Sequence, residues 1–216
     1  MCAADPLESG AQAAELHVQA RSGMGEKNMS TSTAEKKKKL TVTDLVYIAV
    51  FAGMMAICSW ISIPAAVPFT MQTFAVFIAF AVLGGRRGAI AVLVYILMGA
   101  VGLPVFAGFT GGIGALAGTS GGYIIGFLGS ALVMWGLEKI VGRKTIPQFL
   151  AMLLGLLVCY AFGTAWFMVV YMASAGAVGL VTVLGWCVLP FIVPDILKIL
   201  LALALGKRIR RYTGLR

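Results

Sequence analysis

The chain has 216 residues, of which 60% are hydrophobic and only 12% charged, and it carries a formal net charge of +9. Soluble domains run at about 25% charged residues, so this depletion excludes an ordinary soluble domain. Apolar runs close to the roughly 20 residues that a bilayer crossing needs predict an all-α polytopic membrane protein instead. The positive charge does not make a nucleic-acid surface. It is gathered at residues 36–39, 86–87, 139–144 and 207–211, the ends of apolar runs, with no interleaved aromatic stripe. That distribution is what the excess of cytoplasmic lysine and arginine in membrane proteins produces, and it points these ends at anionic lipid headgroups or an acidic cytoplasmic partner.

Residues 1–39 are polar, rich in Ala, Ser and Glu, and lack the apolar centre of a signal peptide. They are expected to be a disordered basic leader, with Met29 as an alternative start. The first helix is predicted over 44–63, capped by Thr43 or Asp44, and Pro64 and Pro68 bracket the turn after it. A second, shorter helix covers 69–83 and ends at Gly84-Gly85-Arg86-Arg87-Gly88; a third covers 89–101. The fourth is predicted over 121–140. Pro147 opens the fifth, which runs to about 173, and Pro194 opens the last, which ends in the basic cluster 207–211. Six crossings put every basic cluster on one side. The turns 63–69, 102–122 and 174–193 hold no lysine or arginine, so both termini are expected in the cytoplasm. The transmembrane unit is taken as 40–211 and the residues 212–216 as a cytoplasmic tail.

Two charged residues break the apolar interior: Asp195 and Lys198, three apart and therefore on one helix face. A charge at a bilayer centre costs about 2.5–3.5 kcal/mol on insertion scales, and such residues mark substrate or ion pathways. Asp195 beside Pro194 falls in a first turn, near the positive end of the helix dipole, and a helix starting there reaches Arg208 in only about 20 Å. The pair is therefore expected below the outer surface, at the floor of a cavity. Residues 99–126 hold ten glycines and no charge, yet Leu103, Val105, Phe106, Phe109, Ile113, Leu116 and Tyr123 make the segment too apolar for a water-exposed linker. Its backbone cannot face lipid unpaired, so a loop folded over the outer mouth of the bundle is predicted. Gln72, Thr73, Thr164 and Tyr123 are further polar candidates, while Trp60, Trp166, Phe106 and Tyr160 read as packing or interfacial belt rather than ligand stackers. Ala49, Ala52, Gly53 and Ala56 give the first helix a small-residue face suited to close helix contact. The only histidine, His17, is in the leader, and Cys2, Cys58, Cys159 and Cys187 form no C-x-x-C, so neither a metal site nor a disulfide framework is expected.

The strings Val67-Pro68-Phe69-Thr70-Met71-Gln72-Thr73-Phe74, Arg86-Arg87-Gly88, Gly102-Leu103-Pro104-Val105-Phe106-Ala107, Thr119-Ser120-Gly121-Gly122-Tyr123 and Pro194-Asp195-x-x-Lys198 occur in this order. Over 40–211 the chain thereby resembles the BioY family, the biotin-binding S components of energy-coupling factor transporters. The resemblance implies a six-transmembrane-helix bundle of the S-component type, with a glycine-rich outer loop, that captures biotin on the outer side. It implies substrate binding by Asp195, Lys198, Tyr123, Phe106 and Gln72. Ala52 and Ala56 would dock a transmembrane coupling protein, which works with two ATP-binding cassette ATPases. No cofactor is implied. The chain has no G-x-x-x-x-G-K-[ST] of its own, so ATP hydrolysis is assigned to partners and the chain is not expected to be an enzyme. The rival expectation is a stand-alone proton-coupled carrier with Asp195 as its proton site.

Overall fold

A computed structural model describes residues 40–65 and 67–213. The expected leader, 1–39, lies outside the described residues. The first helix, α1 (Val42–Trp60), begins with a reciprocal cap. Thr41 Oγ1 accepts the Asp44 N–H at 3.2 Å, and Asp44 Oδ2 accepts the Thr41 N–H at 3.1 Å. Two donors that the first turn would leave orphaned are thus satisfied. The cap is Thr41 rather than Thr43 or Asp44, because Asp44 serves as the third-position partner in the same box.

A two-residue hairpin, β1 (Ser62–Ile63) with β2 (Phe69–Thr70), follows α1 and places Ser62 opposite Thr70. Helix α2 (Gln72–Leu83) consequently starts later than the sequence suggests, since Phe69 and Thr70 are strand. Every residue from Ala75 to Leu83 is buried, so α2 runs through the middle of the bundle, apolar on all sides as such a position requires. After Gly84, α3 (Gly85–Ala100) starts four residues earlier than expected and takes Arg86 and Arg87 into its first turn. The glycine-rich stretch then contains a 3-10 turn (Ala107–Phe109) and a one-turn helix, α4 (Ile113–Ala117).

Two long antiparallel helices, α5 (Gly121–Val141) and α6 (Thr145–Ala175), form the most extensive packing of the molecule. The region read as a plain turn after α6 contains α7 (Leu180–Cys187). The last helix, α8 (Leu189–Thr213), starts five residues ahead of Pro194 and carries that proline inside it. Pro190 falls in its first turn, where a missing N–H costs nothing. Pro194 forfeits the bond to the carbonyl of Pro190, a residue that is itself exposed. Asp195 is therefore in the second turn, not the first. At 1.5 Å per residue, 25 residues give α8 a length of about 37 Å, enough to cross the hydrocarbon layer. The helix runs through Tyr212, so of the expected tail only 214–216 remain, outside the described residues.

Among the described residues four stretches are long and apolar enough to cross a membrane: Val42–Trp60, Gly121–Val141, Thr145–Ala175 and Leu180–Tyr212. Their exposed faces carry Leu, Val and Ile, as lipid-facing surfaces do. The chain is a multi-pass membrane protein. Ala52 and Ala56 do not reach such a surface. Both are buried, on a helix that packs against α2 and α3, so the small residues that α1 presents outward are Ala49 and Gly53.

Candidate functional site

Helices α2, α5, α6, α7 and α8, the hairpin and the glycine-rich segment all contribute to one cavity of about 690 Å³, counted with its open mouth. Two of its buried lining residues are charged. Asp195 is 1% exposed and Lys198 6%, and the Lys198 Nζ lies 2.8 Å from Asp195 Oδ1. The i,i+3 spacing places both on the inward face of α8, and α2 and α6 supply the rest of the network. Thr73, in the first turn of α2, donates its hydroxyl to Asp195 Oδ1 at 2.9 Å and accepts from Lys198 Nζ at 3.0 Å. Tyr160 of α6 donates its phenol to Asp195 Oδ2 at 2.6 Å. Lys198 also donates to the Thr70 carbonyl of β2 at 2.7 Å and sits 4.3 Å from the centre of the Phe69 ring. A buried ion pair costs stability unless its remaining hydrogen-bonding capacity is met, and here α2, α6 and the hairpin meet it.

The walls are apolar. Phe106, 1% exposed, is driven inward because Gly99 leaves the space its ring occupies; a Cβ at position 99 would overlap the ring. Three side chains hold the backbone just before it. Ser59 Oγ and the Tyr95 hydroxyl donate to the Val105 carbonyl at 2.5 and 3.0 Å, and Trp60 Nε1 donates to the Pro104 carbonyl at 2.8 Å. Gly163 of α6 makes the same kind of room for the Tyr123 ring, and the Tyr123 hydroxyl lies 3.0 Å from Thr164 Oγ1. Gln72 lines the cavity, with its Nε2 donating to the Tyr95 hydroxyl at 2.8 Å. It thereby supports the residue that holds the loop.

All five residues singled out from sequence as substrate-binding (Asp195, Lys198, Tyr123, Phe106 and Gln72) line this one cavity. Tyr160, read as packing or belt, belongs to the polar floor instead. Its signal was available: Tyr160, Gly163, Thr164 and Phe167 recur at helical spacing and form one buried face of α6. Cys159 and Cys187 are also in the lining, and no cluster of metal-ligating side chains occurs among the described residues.

The structure is thus a helical membrane bundle with a buried, hydrogen-bonded ion pair in the lining of a largely apolar cavity. The sequence profile of the BioY family matches residues 31–214; the chain belongs to that family. It is 39% identical over 167 residues to the probable biotin transporter BioY of Pyrococcus horikoshii, an alignment covering 77% of this chain and 95% of the relative. It is 37% identical over 171 residues to the biotin transporter BioY of Thermotoga maritima, with the same coverage of each. The fold is similar, with a TM-score of 0.70 and 27% identity, to a crystal structure of the S-component for biotin from an ECF-type ABC transporter; the match covers 79% of this chain and 92% of that one.

Proposed function

We propose that this chain binds biotin in the cavity and serves as the substrate-binding subunit of a vitamin uptake transporter. The observation that carries the reading is the floor of the site. Asp195 offers a buried acceptor, held in place by Tyr160, Thr73 and Lys198, to a ligand that brings N–H donors and an otherwise apolar body. Biotin has that form: a ureido ring with two N–H groups and a carbonyl, fused to an apolar sulfur ring with an aliphatic tail. Family membership and the biotin-specific relatives support the same ligand. Asp195, Tyr160, Phe106 and Tyr123 are assigned contact with biotin, with Lys198 and Gln72 supporting them.

In this reading α1, α2, α3, α5, α6 and α7 joined to α8 make six crossings, with both termini cytoplasmic and the glycine-rich segment outside. Inward delivery is driven by a transmembrane coupling protein and two ATP-binding cassette ATPases. With Ala52 and Ala56 turned inward, that coupling protein would meet α1 at Ala49 and Gly53. Family membership does not favour a stand-alone proton-coupled carrier; uptake that survives without the coupling subunits and collapses with an uncoupler would restore that rival.

Calorimetry on purified protein in detergent tests the proposal. Wild type is expected to bind biotin, and Asp195→Asn, which keeps an acceptor of the same size but removes its charge, to bind it about 10- to 100-fold more weakly while still folding. Unchanged affinity in the variant would remove Asp195 from the site. No binding by folded wild type would remove biotin.

A further inference from the structure

We infer that the basic end of α8 and the link between α5 and α6 hold the phosphate group of an anionic phospholipid, on Arg143, Gln148 and Arg210. None of these three residues lines the cavity, and the inference does not depend on the biotin reading.

Among the described residues, two buried side-chain atoms lack a hydrogen-bond partner: Arg143 Nε and Gln148 Nε2. Such atoms are rare in folded proteins and each calls for a specific explanation. Both are N–H donors, so what each lacks is an acceptor. Gln148, 2% exposed, ends the first turn of α6, and its Oε1 accepts from Arg210 Nη2 at 3.3 Å. Arg143 Nε lies 3.2 Å from Glu138 Oε1, without the alignment of a hydrogen bond. The other oxygen of Glu138 is taken by the Gly85 N–H at 2.6 Å. Arg143 and Arg210 are close enough to repel each other, with Glu138 as the opposing charge. Two guanidinium groups thus face one carboxylate. An anion here would supply acceptors and remove the repulsion, and phosphate oxygens match the planar fork of a guanidinium.

The position selects a lipid as the source of that phosphate. Arg143 follows α5 and Arg210 lies in the last turn of α8, where apolar spans give way to headgroups. Ile140, Val141 and Ile146 flank Arg143 and are exposed, a surface for an acyl chain beside the phosphate. Helix α6 starts without a side-chain cap, so the positive end of its dipole adds to the field. Lys144 and Arg211, both exposed, favour an anionic headgroup over a zwitterionic one.

Thermal unfolding of the delipidated full chain in non-ionic detergent tests the site with phosphatidylglycerol, phosphatidylcholine and inorganic phosphate. Phosphatidylglycerol is expected to stabilise wild type at about tenfold lower concentration than phosphatidylcholine, and inorganic phosphate to have little effect. Gln148→Glu keeps the oxygen that meets Arg210 and replaces the orphaned amide nitrogen with a second carboxylate oxygen, an anion built into the chain. It is expected to unfold about 2–4 °C above wild type without lipid and to lose the preference for phosphatidylglycerol. Arg210→Gln should weaken the response to that lipid about tenfold while biotin affinity stays unchanged. The site is overturned by an equal response of wild type to the two lipids, by a Gln148→Glu protein that unfolds lower or keeps the preference, or by an unaltered response of Arg210→Gln. Inorganic phosphate as effective as phosphatidylglycerol would overturn the lipid and leave a site for free phosphate.

Discussion

Two ion pairs in this molecule use the same chemistry to opposite ends. Asp44–Arg87 joins α1 to the start of α3 at 3.0 Å, with side chains 9% and 24% exposed; Asp195–Lys198 sits at the cavity floor at 2.8 Å, with 2% and 7%. The first lies where apolar spans end and water or headgroups can replace a lost partner. The second lies where nothing can, and it is accordingly wrapped by Thr73, Tyr160 and the Thr70 carbonyl. What separates a structural tie from a candidate binding site here is the absence of any alternative partner for the charge. The residue types are the same.

That contrast can be broken by experiment. Lys198→Met strands a buried carboxylate and is expected to cost about 3–5 kcal/mol of stability, with loss of biotin binding, read by thermal unfolding in detergent and by calorimetry. A stable Lys198→Met protein would mean that water reaches Asp195. Tyr160→Phe keeps the ring and deletes one bond to a charged acceptor, worth about 1.5–3 kcal/mol. That bond exists before any ligand arrives, so the variant should unfold at a lower temperature, and it should bind biotin about tenfold more weakly as Asp195 loses its anchor; an unchanged unfolding temperature and affinity would return Tyr160 to a packing role. Trp60→Phe deletes the 2.8 Å bond to the Pro104 carbonyl, an effect of about 1 kcal/mol. It is best seen as faster amide hydrogen exchange in 103–112, and unaltered exchange there would show that Ser59 and Tyr95 suffice. Arg87→Met should be mildest, at about 0–1 kcal/mol and with biotin affinity unchanged. A loss as large as that of Lys198→Met would erase the distinction between the two pairs.

Much of the site was legible in the chain because a charge in an apolar run has few explanations. Asp195 and Lys198 announce themselves, and their spacing alone puts them on one face. Thr73 and Tyr160 were harder, since their meaning comes from helices 122 and 35 residues away in sequence. A tyrosine in a membrane helix looks the same whether it touches lipid, a neighbour or a carboxylate. The helix boundaries shifted for local reasons. Proline rules placed the start of α8 at Pro194, but a proline already in a first turn lets the helix begin earlier and absorb a second. The hairpin is too short for an alternation to register. On α1 four small residues shared a stretch, and only packing against α2 and α3 separates the buried pair, Ala52 and Ala56, from the outward pair, Ala49 and Gly53.

The segments around the cavity mouth are gripped by their backbones. Ser59, Trp60 and Tyr95 hold the carbonyls of Pro104 and Val105, Trp166 holds that of Gly118 at 3.1 Å, and Lys198 holds that of Thr70. A carbonyl is present whatever side chain accompanies it. The instructions for where the loop and hairpin lie are therefore written in the helices, and a mutation in the loop does not delete them. Such a mouth can drift in sequence, changing what it presents to the outside, while the address at which it is anchored stays inherited from the membrane-embedded part of the chain.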